Sequence, residues 1–261
     1  MGSTVFHKNI TKEKTMNPEE FQQAVAAQGI ILTEQQMAQF ALYYRLLVKT
    51  NEQVNLTAIT AENEVYLKHF YDSLTAAIAV PEIRTQALSL ADVGAGAGFP
   101  SIPLKIAFPQ LRVTIIDSLN KRINFLQTLV DELGLTDVTL VHVRAEEFGG
   151  KKSASRETFD LVTARAVARM SVLSEFCLPL VRVGGQFVAL KAQKAPDELH
   201  DAQYAIAKLG GKIEADKQMT LPQTGDERHI VIVSKVQPTP RQYPRKAGTP
   251  ARKPLVAPEK N

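Results

Sequence analysis

The 261-residue chain has 44% hydrophobic and 22% charged residues and a formal net charge of +4, which is ordinary for a globular protein with one main domain. No apolar run approaches the ~20 residues of a membrane span, and the N-terminus lacks the apolar segment of a signal peptide, so we expect a cytoplasmic protein without a membrane partner. The single cysteine, Cys177, lies among apolar residues, so we expect core packing there, no internal disulfide and no metal site.

The first part of the chain is predicted to form helices. Residues 1–16 are polar and aperiodic, which indicates a flexible extension. The apolar residues that follow recur at helical spacing, and Thr33 with Gln36 forms a capping-box pattern before a second helix. A third helix is predicted over residues 61–80. We therefore expect an N-terminal helical cap over residues 17–86.

From there the pattern changes to short apolar runs that alternate with helical segments, over residues 87–236. This alternation predicts a largely parallel sheet with right-handed crossover connections. The predicted strands cover seven segments: 89–93, 112–117, 138–143, 159–163, 186–190, 212–221 and 229–235. The last two are separated by a short loop without a helix, so they should pair antiparallel at one edge. We expect an α/β fold with a seven-stranded, mostly parallel sheet and an antiparallel last strand.

A glycine-rich loop follows the first predicted strand, in the stretch DVGAGAGFPSIPLKI. Gly94, Gly96 and Gly98 stand at alternate positions after Asp92, and a helix follows the loop. A dinucleotide site needs the spacing G-x-G-x-x-G, which is one residue longer. The shorter loop and the antiparallel last strand are typical of Rossmann-like class I methyltransferases. Asp117, whose carboxylate suits a ribose diol, is expected in both cofactor classes. We therefore predict S-adenosylmethionine as the cofactor, with a dinucleotide as the alternative.

The acceptor atom is indicated by motifs that the sequence lacks. After the fourth predicted strand the chain reads DLVTARAVA, without the Asn or Asp and Pro-Pro-aromatic motif of enzymes that methylate exocyclic amines. Methylation of a pyrimidine carbon needs a thiolate, and the apolar surroundings of Cys177 do not suit one. A ring nitrogen such as guanine N7 has a free lone pair. We therefore predict catalysis by positioning alone, without a general base.

The C-terminal residues 237–261 are predicted to form a basic arm. The last 28 residues hold seven Lys or Arg, one acidic residue and six prolines. Prolines at this density disfavour a helix and indicate an extended, polyproline-like conformation. An extended basic arm suits a polyanion such as RNA, and a solvated tail is the alternative. The candidate phosphate-binding residues are Arg241, Arg245, Lys246, Arg252 and Lys253.

The sequence resembles the RsmG family, also called glucose-inhibited division protein B. The resemblance covers nearly everything after Met16 and rests on the glycine loop together with NLTAITAENEVYLKHFYDSL, IIDSLNKRINFL, RAEEF, DLVTARAVA, FVALKA, ERHIVIV and PRQYPRKAGTPARKPL. It implies a bacterial enzyme that transfers a methyl group from S-adenosylmethionine to N7 of a guanine in the decoding-region loop of 16S ribosomal RNA. The implied partner is this RNA or a precursor of the small ribosomal subunit.

The resemblance also implies which residues bind the cofactor. Together with the glycine pattern it gives ten candidates: Gly94, Gly96, Gly98, Phe99, Asp117, Ser118, Leu119, Ala145, Glu146 and Arg165. We expect Glu146 to meet the exocyclic amine of adenine, and Arg165 to hold guanine O6, a phosphate or the cofactor carboxylate. Lys191 is expected either to contact an RNA phosphate or to reach solvent. His69 and Asp72 are expected either to lie over the cofactor or to form a surface pair.

Two other classes of protein remain open from the sequence. A non-catalytic RNA-binding module would explain the basic arm, but it would not explain the glycine loop followed by Asp117. A methyltransferase that acts on a protein or a small molecule would share the whole cofactor site. Binding of S-adenosylmethionine would exclude the first class, and salt-dependent binding to ribosomal RNA would exclude the second.

Overall fold

A single sheet of seven strands organises the structure, a computed structural model that describes residues 15–257. Its strands are β1 (Ser89–Val93), β2 (Arg112–Asp117), β3 (Val138–His142), β4 (Phe159–Arg165), β5 (Val181–Ala192), β6 (Gly211–Thr220) and β7 (Glu227–Lys235). Their order is β3-β2-β1-β4-β5-β7-β6. Strands β1 to β5 pair in parallel, and β7 pairs antiparallel with both β5 and β6. The predicted sheet is confirmed, with β6 rather than β7 at the edge.

Strand β5 begins five residues earlier than predicted, because its glycine pair reads as a turn in the sequence. Gly184 has a φ of +83°, and the pairing with β4 shifts register between Phe159 and Leu161. A side chain at Gly185 would bring Cβ to 2.6 Å from the carbonyl oxygen of Asp160. The glycines therefore mark an irregularity inside a long strand, not its end.

Three helices are predicted before the sheet, and the described residues contain six helical segments there. They are α1 (Pro18–Ala27), α2 (Glu34–Val54), α3 (Glu62–Val65), a π-helix (Tyr66–Tyr71), α4 (Asp72–Ala79) and α5 (Glu82–Thr85). Helix α5 is additional, and the third predicted helix is divided. The capping box of Thr33 and Gln36 is present, and the Gln36 Nε2 also donates to the carbonyls of Ile106 and Ala107 at 2.8 and 3.1 Å. The same glutamine therefore begins α2 and ties it to the helix after the glycine loop.

The third predicted helix differs from a regular α-helix in its middle. Residues 66–71 form a π-helical turn, which widens the helix by one residue per turn. The turn carries Lys68 and His69, and Asp72 follows it directly. Since π-helical insertions change the direction of the side chains near them, the predicted spacing alone could not place these three residues.

The core on one side of the sheet is built around an aromatic cluster of the helical cap. Phe21, Phe40, Tyr66 and Phe70 are buried, with ring centroids of neighbouring pairs 5.0–5.4 Å apart. Tyr43 extends the cluster towards the glycine loop, where its hydroxyl donates to the Ala97 carbonyl at 2.5 Å. This contact holds the cap against the loop.

The remaining helices are α6 (Ser101–Ala107), α7 (Asn120–Glu132), α8 (Ala145–Phe148), α9 (Met170–Cys177), α10 (Ala195–Lys208) and α11 (Thr249–Arg252). Helices α6, α8 and α9 follow β1, β3 and β4 and begin beside the carboxyl ends of these strands. Of the predicted flexible extension, residues 1–14 lie outside the described residues. Met16 is buried, so the extension was placed too far along the chain.

The C-terminal segment, residues 236–257, is not the extended arm that the prolines predict. It contains turns and the short helix α11, and Thr239, Tyr243 and Pro250 are buried. The Arg156 guanidinium donates to the carbonyls of Thr239 and Tyr243, both at 2.7 Å. The prediction was wrong because residues far away in the sequence provide hydrogen-bond partners for the backbone N–H and C=O groups of this segment. Residues 258–261 lie outside the described residues.

Candidate functional site

A cavity of about 460 Å³ lies at the carboxyl ends of β1, β2 and β4. The strand order reverses between β1 and β4, and such a reversal opens a crevice in which α/β sheets bind ligands. The lining comes from the glycine loop, the segments after β2, β3 and β4, and the helical cap. Several distant parts of the sequence therefore meet at this one place.

Eight of the ten candidate cofactor residues line this cavity: Gly94, Gly96, Phe99, Asp117, Ser118, Ala145, Glu146 and Arg165. Gly98 and Leu119 lie outside the lining, contrary to expectation. A Cβ at Gly98 would come within 2.8 Å of Ile102 and 2.9 Å of the Tyr43 hydroxyl, so this glycine serves close packing. Leu119 is 41% exposed, and its backbone N–H donates to Asp117.

The glycine loop turns its backbone towards the cavity. Gly94 and Gly96 have φ values of +72° and +61°, which L side chains rarely adopt. A Cβ at Gly96 would meet no atom within 4 Å, whereas one at Gly94 would lie 2.9 Å from the Val167 side chain. A side chain at Gly96 would therefore occupy space that the loop leaves open.

The carboxylate of Asp117 is fixed at the end of β2. It is buried and accepts the Leu119 N–H at 2.9 Å, the Gly96 N–H at 3.2 Å and the Arg122 Nη1 at 3.3 Å. A carboxylate has about four acceptor positions, so about one stays free. A diol that used both oxygens would therefore share the carboxylate with Gly96 or Arg122.

A buried acid lies beneath the glycine loop. Asp92 Oδ2 accepts the Ser101 N–H at 3.1 Å, while Oδ1 and the Ser101 hydroxyl have no hydrogen-bond partner within residues 15–257. Complete burial raises the pKa of Asp92 from its ordinary 3.8 to about 7. Near neutral pH this carboxyl is therefore divided between its protonated and ionised forms.

Asp72 forms ion pairs with two arginines, one of which, Arg165, lines the cavity. Its Oδ2 accepts Arg165 Nη1 and its Oδ1 accepts Arg228 Nε, each at 2.7 Å. The three side chains are 8–17% exposed. The two-sided ion pair fixes the direction in which both guanidinium groups point. The expected surface pair of His69 and Asp72 is wrong, because both side chains are buried.

His69 is held as a neutral ring. It stacks on Phe99 with centroids 4.4 Å apart, and Arg165 Cζ lies 4.8 Å from the Phe99 centroid. Burial and the Arg165 charge lower the pKa of His69 to about 3. Its Nδ1 lies 3.2 Å from Arg165 Nη2 and 3.1 Å from the Lys68 carbonyl oxygen, and its Nε2 lies 2.8 Å from the Thr57 hydroxyl, so both ring nitrogens have polar neighbours.

A second cavity of about 600 Å³ adjoins the first and shares His69, Arg165 and Ala166 with it. Its charged lining residues are Lys68, Asp72, Arg165, Lys191, Lys194, Glu198 and Arg228. Lys191 Nζ is paired with Glu198 at 2.6 Å and donates to the Ala168 carbonyl at 2.9 Å. The Lys191 ammonium is therefore already paired at the wall of this cavity, with the side chain 10% exposed. The lining carries five cations and two acids.

Sequence reasoning missed several residues of the first cavity. Leu56, Thr57, Arg122 and Phe176 line it, as do Ala166 and Val167. Leu56, Thr57 and Arg122 lie within the motifs NLTAITA and IIDSLNKR, so the motifs could have pointed to them. Ala166 has a φ of +57°, a left-handed conformation that nothing in the sequence marks.

The basic residues of the C-terminal segment fall into two groups. The Arg245 guanidinium forms a bidentate pair with Glu175, with Nη2 to Oε2 at 2.6 Å, so it is not free for a phosphate as predicted. The reason is that Glu175 is fully buried and requires a cation. The other four candidate phosphate-binding residues are exposed. They are Arg241, Lys246, Arg252 and Lys253.

Three other sequence expectations concern nucleophiles, metals and membranes. Cys177 is free and buried, and burial raises the pKa of its thiol well above the usual value, so it is no thiolate. No group of His, Cys, Asp and Glu within residues 15–257 could hold a metal ion. In the same part of the chain, no helix combines the length and the apolar character needed to cross a membrane.

Comparison with known proteins gives one consistent family. The family described as rRNA small subunit methyltransferase G (GidB) matches residues 36–231. The chain is 67% identical to the Ribosomal RNA small subunit methyltransferase G of Levilactobacillus brevis, over 92% of this chain and 99% of that protein. It is 65% identical to the protein of the same name from Ligilactobacillus salivarius, over 92% of this chain and 100% of that protein.

Among solved structures, a mutant of MtNAS shares the fold. The TM-score is 0.52 at 14% sequence identity, and the match covers 76% of this chain and 75% of that one. The shared part shows that the sheet and its crossover helices form an established arrangement.

The buried acid beneath the loop generates a prediction about stability. The pKa of Asp92 is about 7 in the folded protein and 3.8 ordinarily, so the stability that its protonated form gives is lost as pH rises towards 7. Asp92→Asn keeps an acceptor for Ser101 but cannot ionise. Relative to the parent protein, its free energy of unfolding should rise by about 1.4 kcal/mol per pH unit between about pH 5 and about pH 7, and level off above.

Urea unfolding of both proteins at a series of pH values measures this difference. Asp160→Asn is the control, because hydrogen bonds from Ser89 and Arg182 outweigh burial and lower the pKa of Asp160 to about 2. Its effect on stability should not change with pH over the same range. An Asp92→Asn difference that is equally flat would contradict the prediction.

Proposed function

The chain belongs to the rRNA small subunit methyltransferase G family, and we propose that its two adjoining cavities bind S-adenosylmethionine and a guanine of 16S ribosomal RNA. The enzyme transfers a methyl group to N7 of a guanine in the decoding-region loop. The resemblance to the family is confirmed, and so is the predicted α/β fold with a seven-stranded, mostly parallel sheet. The observation that carries the proposal is the convergence of eight candidate residues on one cavity at the strand reversal.

The first cavity fits S-adenosylmethionine in size and in its polar groups. Its volume of about 460 Å³ is in the usual range for small-molecule sites. Asp117 offers a carboxylate for the ribose, Glu146 offers one for the adenine amine, and the open face at Gly96 admits the amino-acid part. When bound, S-adenosylmethionine supplies a methyl group on a positively charged sulfur.

The second cavity suits a nucleotide of the RNA. Its lining has more cations than acids, which favours a ligand that carries phosphate. Arg165 stands between the two cavities, and its guanidinium is held by Asp72 and by the Lys68 carbonyl at 3.1 Å. A group fixed in this way can hold guanine O6 or a phosphate while N7 remains free.

The chemistry requires positioning and no proton transfer at N7. His69 has a pKa of about 3, so it remains neutral, and its two ring nitrogens lie within hydrogen-bond distance of Arg165, the Lys68 carbonyl and the Thr57 hydroxyl. Both oxygens of Asp72 are bound by arginines. The nearby candidates for a general base are therefore engaged in holding the site together. Their role is to align the acceptor with the methyl group.

The partner we propose is 16S ribosomal RNA or a small-subunit precursor, which places the enzyme in the cytoplasm. The exposed cations Arg241, Lys246, Arg252 and Lys253 provide a surface for RNA phosphates outside the two cavities. The relatives' printed name, Ribosomal RNA small subunit methyltransferase G, supports this partner.

The first prediction tests the cofactor site with two glycines of similar conformation. Gly96 and Gly134 have φ values of +61° and +63°, and a Cβ at either would meet no atom within 4 Å. Valine at either position carries the same backbone strain, but only Gly96→Val fills the cavity. Gly96→Val should abolish calorimetric binding of S-adenosylmethionine, and Gly134→Val should retain it.

In a strain that lacks the gene, Gly134→Val should restore N7-methylguanine to 16S ribosomal RNA, as detected by mass mapping, and Gly96→Val should not. Equal binding by both variants would remove the cofactor assignment. Binding of NAD in place of S-adenosylmethionine by the parent protein would do the same.

The second prediction concerns pH. With RNA and S-adenosylmethionine saturating, the single-turnover rate of methyl transfer should vary by less than about twofold between about pH 6 and about pH 8.5, since no group must accept a proton. Quench-flow measurement of labelled methyl transfer provides the rate. A dependence of unit slope that disappears in His69→Gln would show that a general base takes part.

The third prediction concerns the exposed cations of the C-terminal segment. Changing Arg241, Lys246, Arg252 and Lys253 together to Gln should weaken binding to 16S ribosomal RNA and lower its log–log salt slope by up to about 3, at about 0.7–0.9 per lost phosphate contact. The affinity for S-adenosylmethionine should stay unchanged. Filter binding at several salt concentrations measures the slope, and an unaltered slope would exclude these residues from the RNA surface.

A further inference from the structure

The acid proposed to meet adenine is held by the C-terminal segment. Glu146 is buried, and its Oε1 accepts the backbone N–H of Gly248 at 2.8 Å. A hydrogen bond to an ionised carboxylate is about twice as strong as one between neutral groups. Oε2 lies 3.8 Å from Nε of Arg144, and each carboxylate oxygen retains acceptor capacity for a ligand.

Glu146 needs such support because the helix that carries it is very short. Helix α8 has four residues, and its N-terminus has no side-chain cap. One helical turn is unstable by itself, because the first turn fixes several residues for a single hydrogen bond. Neighbouring groups must therefore fix the orientation of α8.

Arg156 links the end of α8 to the C-terminal segment. The Arg156 guanidinium donates to the carbonyl of Gly149, directly after α8, at 2.9 Å, and also to those of Tyr243 and Thr239 in the segment. One arginine thus joins the end of α8 to two points of the segment. This geometry fixes the position of Gly248 relative to Glu146.

A buried ion pair anchors the segment three residues before Gly248. Glu175 is fully buried and accepts the backbone N–H, Nε and Nη2 of Arg245 at 2.6–2.9 Å. Glu175 precedes Phe176, which lines the first cavity. Removing one partner of a buried pair leaves an uncompensated charge, so this anchor is strongly maintained.

We propose that the C-terminal segment acts as a clasp that positions Glu146 for the cofactor's adenine, with Gly248 and Arg245 as its positioning residues. The inference rests on the proposed cofactor site. The family model matches residues 36–231 and ends before the segment, whereas the stretch PRQYPRKAGTPARKPL inside the segment is part of the family resemblance, so the proposed role rests on the contacts of the segment. The inference gives the segment a role at the cofactor that is separate from RNA binding.

The test compares two ligands that differ at the group Glu146 meets. S-adenosylhomocysteine carries the adenine amine, and S-inosylhomocysteine has a carbonyl oxygen in its place. Gly248→Pro removes the N–H that Glu146 accepts, and its ring also excludes a φ of +78°, whereas the control Gly248→Ala keeps the donor at a φ that only strains alanine. Arg245→Gln breaks the anchor, and Arg241→Gln loses the same charge at an exposed position.

The parent protein should bind the adenosyl ligand more tightly than the inosyl ligand, by about tenfold for one charge-assisted hydrogen bond. In Gly248→Pro and Arg245→Gln, the Kd of the adenosyl ligand should rise about fivefold or more, and the discrimination should shrink towards one. The two controls should behave like the parent. Calorimetry measures the Kd values, and thermal unfolding establishes that each variant is folded.

A general loss of structure would weaken both ligands equally, and that result would overturn the clasp. Unchanged discrimination in the folded variants would overturn it as well. If Arg245→Gln does not fold, the double variant Arg245→Met with Glu175→Gln removes the ion pair without leaving a buried charge. The ratio of the Kd values of the inosyl and adenosyl ligands is then measured for this variant instead. Failure of the parent protein to bind either ligand would instead overturn the cofactor site itself.

Discussion

The ion pair of one buried carboxylate with two arginines holds the functional end of this molecule together. Asp72 follows the π-helical turn of the cap, Arg165 ends β4, and Arg228 lies at the start of β7. These partners lie 93 and 156 residues away from Asp72 in the chain. Loss of one member of such a buried pair destabilises a folded protein by about 3–5 kcal/mol. Separation of the cap from the sheet at this point would therefore be strongly unfavourable. Both cavities take their shape from this junction.

Local signals in the sequence were sufficient for the sheet and for much of the cavity. Strand spacing, the capping box at Thr33 and the alternate glycines each reflect contacts within a few residues, which a linear pattern can show. Parallel strands have their carboxyl ends at the same edge of the sheet, so the loops that follow these strands lie close together at that edge. This is why Phe99, Asp117, Glu146 and Arg165 line one cavity, although only their positions after strands were known.

The contacts that the sequence could not reveal join distant positions. The π-helical turn places His69 and Asp72 inward, where a regular helix was expected. The sequence predicts a free basic arm because it shows the cations of the C-terminal segment but not the distant residues that accept hydrogen bonds from the segment. Backbone N–H groups of the segment donate hydrogen bonds to three carboxylates outside it, those of Glu175, Glu157 and Glu146. Composition shows charge, but it does not show which charges are already paired.

The strand order has a consequence for how the polypeptide is made. Strand β7 lies between β5 and β6, both of which precede it in the chain. During synthesis, the slot in the sheet stays open until residues 227–235 have left the ribosome, and the nascent chain exposes two unpaired strand edges in the meantime. Arg228 arrives with that same strand, so the junction at Asp72 closes only then. An unfinished copy therefore lacks a completed second cavity, and translation itself delays the formation of the proposed RNA-binding surface.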